Sequence, residues 1–321
     1  AHSGHHGSLF ASRDGNFERY QTCSSAMSTR VNPNQDRWMN RRKNARLSAM
    51  VILASLVPLV LVAQAPDLEG LDLQELEGTP RTLVSSGAQA AGLAAQSQIA
   101  AMLSRASETL EVASTPTLAV LNQQDWSALG QPIPYGLPWG TGTTLVLPAT
   151  AEGAIVDVLA GFVGQELATA QLGNVSVHEA GHIVANDLLG AAPTPRWFSE
   201  FFASYLAYDF VVAERPDDAA AFREIATLMA DGAAPPSYDL TTFERDYFAL
   251  LSNPPVYGWY QALFNRFVAE LHSDAGIDFA LGVAAAVRSA RFDDSELWIN
   301  ELEEIAPGFV AWAEAMPGAN R

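Results

Sequence analysis

The residues with the clearest chemistry are Val177-His178-Glu179-Ala180-Gly181-His182-Ile183, two histidines four apart with a glutamate directly after the first. On a helix, positions four apart stand one turn above each other, so both imidazoles can reach a single ion. Glu179 emerges beside them without competing as a ligand, which sets a base next to a Lewis acid. Two imidazoles leave a catalytic metal site one protein ligand short, because such sites normally use three and keep a position open for water. The single cysteine, Cys23, lies near the start of the chain, and beyond residue 65 the one histidine outside the pair is His272, far along the sequence. A carboxylate is the natural third ligand. Glu200 sits in Pro195-Arg196-Trp197-Phe198-Ser199-Glu200-Phe201-Phe202-Ala203-Ser204-Tyr205, whose Arg196 comes 14 residues after His182. Burying a carboxylate among Trp197, Phe198, Phe201 and Phe202 is costly unless it is compensated, and a metal ion compensates it. The donor set favours one Zn²⁺ ion, with other divalent ions left open. Asn186, one turn after His182, shares the metal face, and Asp187 and Ser204 are positions from which a side chain can accept from a ligand imidazole.

These residues need helices to hold them, and the sequence supplies helices. Beyond Pro148 the apolar spacing predicts helices over 151–164, 174–190, 196–213, 217–231, 241–251, 257–272, 277–289 and 294–315, the last broken at Pro307. Before that, Arg81 to Val84, Thr117 to Leu121 and Thr143 to Leu147 read as strands, and the run containing Leu93, Ile99, Met102, Leu103, Ala106 and Leu110 as a covering helix. Residues 122–142, rich in Gly, Pro and aromatics, read as a loop in which Tyr135 and Trp139 are candidates to line a substrate pocket. The plan is α+β: a sheet-bearing lobe over 81–173 and a helical lobe over 174–316, with the histidine helix at the junction near Gly173.

The two motifs together resemble the gluzincin metallopeptidases, the clan of thermolysin and the membrane alanyl aminopeptidases. Their hallmark is H-E-x-x-H with a glutamate on the next helix, and in many members the second motif reads W-F-x-E-G-x-A-x-Y-L. This chain matches it at Trp197, Phe198, Glu200, Ala203, Tyr205 and Leu206, and departs from it with Phe201 in place of glycine, a change expected to narrow the cleft or alter specificity. The likeness extends more weakly over Arg81 to about Met316 and is nearer to the small bacterial peptidases of the clan, since no G-x-M-E-N-like exopeptidase motif is present. It implies a zincin-like fold, zinc on His178, His182 and Glu200, Glu179 as general base, and a peptide or protein substrate cut by an endopeptidase. It also implies an edge strand at the cleft rim, expected at Thr143 to Leu147, and a Tyr or His that donates to the developing oxyanion. Tyr257 is the first choice for that donor and Tyr260 the second, while His272 reads as a solvated helix-end residue. Two other classes stay open: an exported binding or scaffold protein that keeps the fold without cleaving, and a zinc hydrolase of non-peptide amides.

Composition limits the partners. After Ala65 there are 10 Arg and no Lys against 33 Asp plus Glu, a balance of 10 − 33 = −23. Nucleic acid and anionic membrane surfaces are poor partners for such a chain. Arg41, Arg42, Lys43 and Arg46, the apolar run Leu47 to Val62 and Ala63-Gln64-Ala65 form the three parts of an export signal. Residues 45–65 are therefore expected to be a signal peptide or an N-terminal membrane anchor through residues 47–65, placing the domain outside the cytoplasm, secreted or held on the outer face of the membrane. Residues 1–44 read as an unstructured upstream segment and 66–80 as an acidic linker. With no cysteine after Cys23, the exported part has no disulfide framework and no thiolate metal site. Oligomeric state is not legible from the sequence.

Overall fold

The computed structural model describes residues 66–316 apart from 132, 191, 232–238, 252 and 289–297. The expected export segment and everything before it lie outside the described residues, as does the start of the last expected helix. No described helix is long and apolar enough to cross a membrane.

The chain mixes α and β structure. Strands β1 (Gln74–Leu76) and β2 (Arg81–Val84) are followed by helix α1 (Gln89–Leu110), β3 (Thr117–Leu121), the short α2 (Gln123–Ala128), and β4 (Trp139–Thr141) and β5 (Thr144–Pro148). The five-stranded sheet has the order β1-β2-β3-β5-β4. Its inner strands β2, β3 and β5 are parallel, and β1 and β4 pair antiparallel at the two edges. Parallel neighbours need a long crossover, which is why α1 stands between β2 and β3. Burial on both faces explains the unbroken apolar run of β3. Leu118 and Val120 join Leu145 and Leu147 under the helices, and Ala119 and Leu121 join Val146, Trp126 and Trp139 on the other face.

Three expectations change here. Residues 66–80 are not a plain linker: Leu68, Leu71 and Leu73 pack on the far-face cluster, and Gln74–Leu76 is the strand that pairs with β2. The leucines spaced through this acidic stretch anchor it. The strand expected at the sheet edge, Thr143 to Leu147, is internal, because Gly142 in the left-handed region (φ 56°) turns the chain back and lets β4 cover it. Tyr135 and Trp139 are engaged in packing. Trp139 is buried in the far-face cluster, while Tyr135 packs edge-on to Trp126 at 5.5 Å and hydrogen-bonds Thr150 at 2.9 Å.

The helical part runs α3 (Ala154–Val163), α4 (Gln165–Leu189), α5 (Arg196–Glu214), α6 (Pro216–Ala230), α7 (Leu240–Leu251), α8 (Pro254–Ala275), α9 (Asp278–Arg288), α10 (Trp298–Ile305) and α11 (Phe309–Glu314). Gly173 lies inside α4, not at a junction; the break comes at Gly164, whose φ of 88° suits glycine. Helix α5 is buried along most of its length, its aromatic side packed on α8 to α11. Phe201 is fully buried there, with ring centroids 5.4 Å from Phe309, 5.8 Å from Phe267 and 5.9 Å from Trp312. It therefore fills the core and does not narrow a cleft.

His272 is not a solvated helix end. Its Nε2 lies 2.9 Å from Asp209 Oδ1, and Arg105 donates to the same carboxylate from Nε at 2.6 Å and Nη2 at 3.1 Å. The trio ties α1, α5 and α8 together around a carboxylate that is only 5% exposed. Burial raises the Asp209 pKa, but the hydrogen bonds from His272 and Arg105 outweigh it and hold the carboxyl below the usual carboxylate range. A folded-state pKa below the unfolded one adds stability above the unfolded value, and that stability is lost as pH falls through the folded value. Asp209→Asn is expected to cost about 3 kcal/mol at neutral pH. The gap between parent and variant should begin to narrow near pH 4, where the unfolded carboxyl starts to protonate, and go on shrinking as pH falls toward the lower folded value. Denaturant unfolding of both forms across pH 3–7 checks this, and a gap independent of pH would contradict it.

Candidate metal centre

Helix α4 supplies both histidines because its apolar residues fall at helical spacing: Val177, Ala180, Ile183 and Val184 are buried, leaving His178 and His182 on the adjoining, partly open face. The ring centroids are 4.7 Å apart and the rings nearly perpendicular, at 85°. Glu200 comes from α5, and Gly181 decides how close α5 can lie. A Cβ on Gly181 would stand 2.4 Å from the carbonyl oxygen of Ala203, so the two helices pass backbone against backbone. Ala203 is one turn from Glu200, and this close approach carries the carboxylate to the imidazoles. Gly181→Ala is expected to force the helices apart at a cost of about 1–3 kcal/mol. It should also weaken metal binding in the folded protein, as measured by denaturant unfolding and metal titration.

Glu200 Oε2 lies 3.3 Å from His178 Nε2 and 3.6 Å from His182 Nε2. One ligand atom from each of the three residues lies within 4.8 Å of the others, close enough to share a metal ion. The surroundings fit that reading. Glu200 is 6% exposed, and among the described residues its partners are the two imidazoles and two neutral donors, with no Arg or Lys. Tyr247 donates from its hydroxyl to Oε1 at 2.8 Å, and Gln261 from Nε2 to Oε2 at 2.8 Å. Burial raises the Glu200 pKa, but the two imidazoles outweigh it and hold the carboxyl well below the ordinary range. Burial lowers that of His182, and the Glu200 charge outweighs it in the opposite direction, so His182 is raised. Such a carboxylate calls for a cation, and two imidazole nitrogens beside it complete a ligand set.

Ser204 Oγ is 3.0 Å from His178 Nδ1, the outer contact that fixes a ligand imidazole's orientation. Ser199 stands 3.4 Å from His182 Nδ1, a longer contact. Of the three supporting positions expected from sequence, only Ser204 reaches a ligand: Asn186 is exposed and Asp187 bonds Ser114. Sequence reasoning missed Ser199, Tyr247 and Gln261. Ser199 was findable, since it precedes Glu200 on the same turn; the other two come from α7 and α8, 47 and 61 positions beyond the glutamate.

Glu179 stands beside the trio and under β4. A Cβ on Gly140 would lie 3.1 Å from Glu179 Oε2, so the β4 backbone runs directly over this carboxylate. Burial pushes the Glu179 pKa up; the neighbouring imidazoles and the Gly140 amide pull the other way without cancelling it. Of the expected oxyanion donors, Tyr257 is at the site. Its hydroxyl accepts from Gln261 Nε2 at 2.8 Å, and burial with the Glu200 charge raises its pKa well above that of a free phenol. Tyr260 is not, because it is fully buried and donates to the Asp239 carbonyl at 2.8 Å. His272 is also elsewhere, on Asp209. No family profile, curated protein or solved structure matches this chain.

Proposed function

We propose that the chain is a zinc metallopeptidase of gluzincin type with a zincin-like fold, acting outside the cytoplasm as an endopeptidase. The observation that carries this reading is the placement of Glu179: a carboxylate adjoining a set of three metal-ligating residues without belonging to it, with a pKa raised by burial toward the range where a base can also act as an acid. His178, His182 and Glu200 would hold the ion, and zinc so held supplies a Lewis acid that polarises a carbonyl and acidifies water.

The chain's own residues do the rest. Glu179 takes a proton from the attacking water and returns it to the leaving amine. Tyr257, kept protonated, donates a hydrogen bond to the oxygen that gains charge. Tyr247 and Gln261 hold the Glu200 carboxylate in position, and Ser204 holds His178. An extended peptide adds to the outer edge of β4, the last strand of the sheet, which brings its backbone beside Glu179.

The test is cleavage of denatured casein by the zinc-supplied protein, stopped by a chelator and restored by zinc. Restored cleavage supports the reading. A zinc-loaded chain that leaves casein and short peptides intact would favour a binding role that retains the metal site without the reaction.

A further inference from the structure

Helix α5, which carries Glu200, also borders a groove further along its length. A groove of about 550 Å³ opens between α5, α6 and α8, with Val212 and Ala269 among its apolar lining and Arg223, Arg266, His272 and Ser273 among its polar lining. Its volume falls in the range of small-molecule sites. Along α5 the groove residues Tyr208 and Val212 stand roughly 12–18 Å from Glu200 at the helical rise, so this is not the metal site.

Its charge runs against the rest of the chain. Beyond residue 65 the protein has 10 Arg, no Lys and 33 acidic residues, yet two of those arginines line one groove in which, among the described lining residues, Glu270 is the one acid. Neither guanidinium is well neutralised. Arg223 donates from Nη1 to the Tyr208 hydroxyl at 2.8 Å, a neutral acceptor, and among the described residues it pairs with no carboxylate. Arg266 reaches Asp231 only at 3.4 Å, in an exposed pair of the kind that adds little. The Asp209 carboxylate behind the groove is already engaged by Arg105 and His272.

We infer that this groove binds a small organic oxyanion, a carboxylate or a phosphate ester, held between Arg223 and Arg266 with its apolar body on Val212 and Ala269. Guanidinium groups suit both anions because their paired N–H donors match two oxygens at once. The inference does not depend on peptidase activity or on a bound metal.

The test is titration calorimetry on the full chain after chelator treatment, with inorganic phosphate and with succinate as separate probes. Saturable binding of at least one probe is expected. It should weaken at least tenfold in an Arg223→Gln/Arg266→Gln variant and stay unchanged in His178→Ala. Preference for phosphate over succinate, or the reverse, assigns the anion class. Arg266→Gln alone, at an exposed position, serves as a second variant and should weaken binding severalfold. Absence of saturable binding of both probes, or equal affinity in the parent and the arginine variants, would overturn the inference.

Discussion

His178→Ala is expected to lose stoichiometric metal binding while the helices around it stay folded. The imidazole is half-buried and not part of the aromatic core, and its contacts are Ser204, Glu200 and the ring of His182. Removing it leaves one imidazole and one carboxylate, too few for a site that normally uses three protein ligands. Affinity should fall by more than the roughly 10–100-fold that follows loss of a supporting hydrogen-bond partner. Equilibrium dialysis with zinc, beside a circular dichroism spectrum matching the parent, measures the effect. Undiminished affinity in a folded variant would mean that the ion, if bound, sits elsewhere.

Glu179→Gln is expected to separate binding from turnover. Glutamine keeps the side chain's volume under the β4 backbone and leaves the three ligands untouched, so metal content should match the parent. What it removes is the group that accepts a proton, and general-base catalysis is worth roughly 10²–10⁴-fold in rate. Hydrolysis of casein or of a chromogenic peptide should drop by that factor, with KM changed little because the proposed mechanism seats the substrate on the edge of β4 and not on Glu179. Parent-like hydrolysis in this variant would sink the proposed mechanism.

The sequence carries some of these features openly and hides others, for identifiable reasons. His178, Glu179 and His182 are legible because all three lie on one helix, where spacing alone fixes geometry. Glu200 is legible because a carboxylate among Trp197, Phe198, Phe201 and Phe202 needs compensation. Tyr247 and Gln261 are not, since only the tertiary packing of α7 and α8 against α5 brings them to that carboxylate. Long helices such as α1 and α5 show their periodicity over many turns. The three-residue strands β1 and β4 are too short for an alternating pattern, so their stretches read as linker and loop. That misreading placed the sheet edge on the wrong strand. His272 misled in another way: nothing in Leu271-His272-Ser273-Asp274 reveals that Asp209, 63 positions earlier, waits across the helix interface. Phe201 reads as a departure from a motif, whereas in space it is a core residue packed against aromatic rings of α5, α8, α9 and α11.

The central claim is that His178, His182 and Glu200 hold one ion, and the most direct measurement is elemental analysis of the purified chain dialysed against zinc and then against buffer. One zinc per chain in the parent and in Glu179→Gln, with far less than one in His178→Ala and Glu200→Ala, is the predicted result. No retained zinc in the parent, or a full complement in either ligand variant, would contradict it.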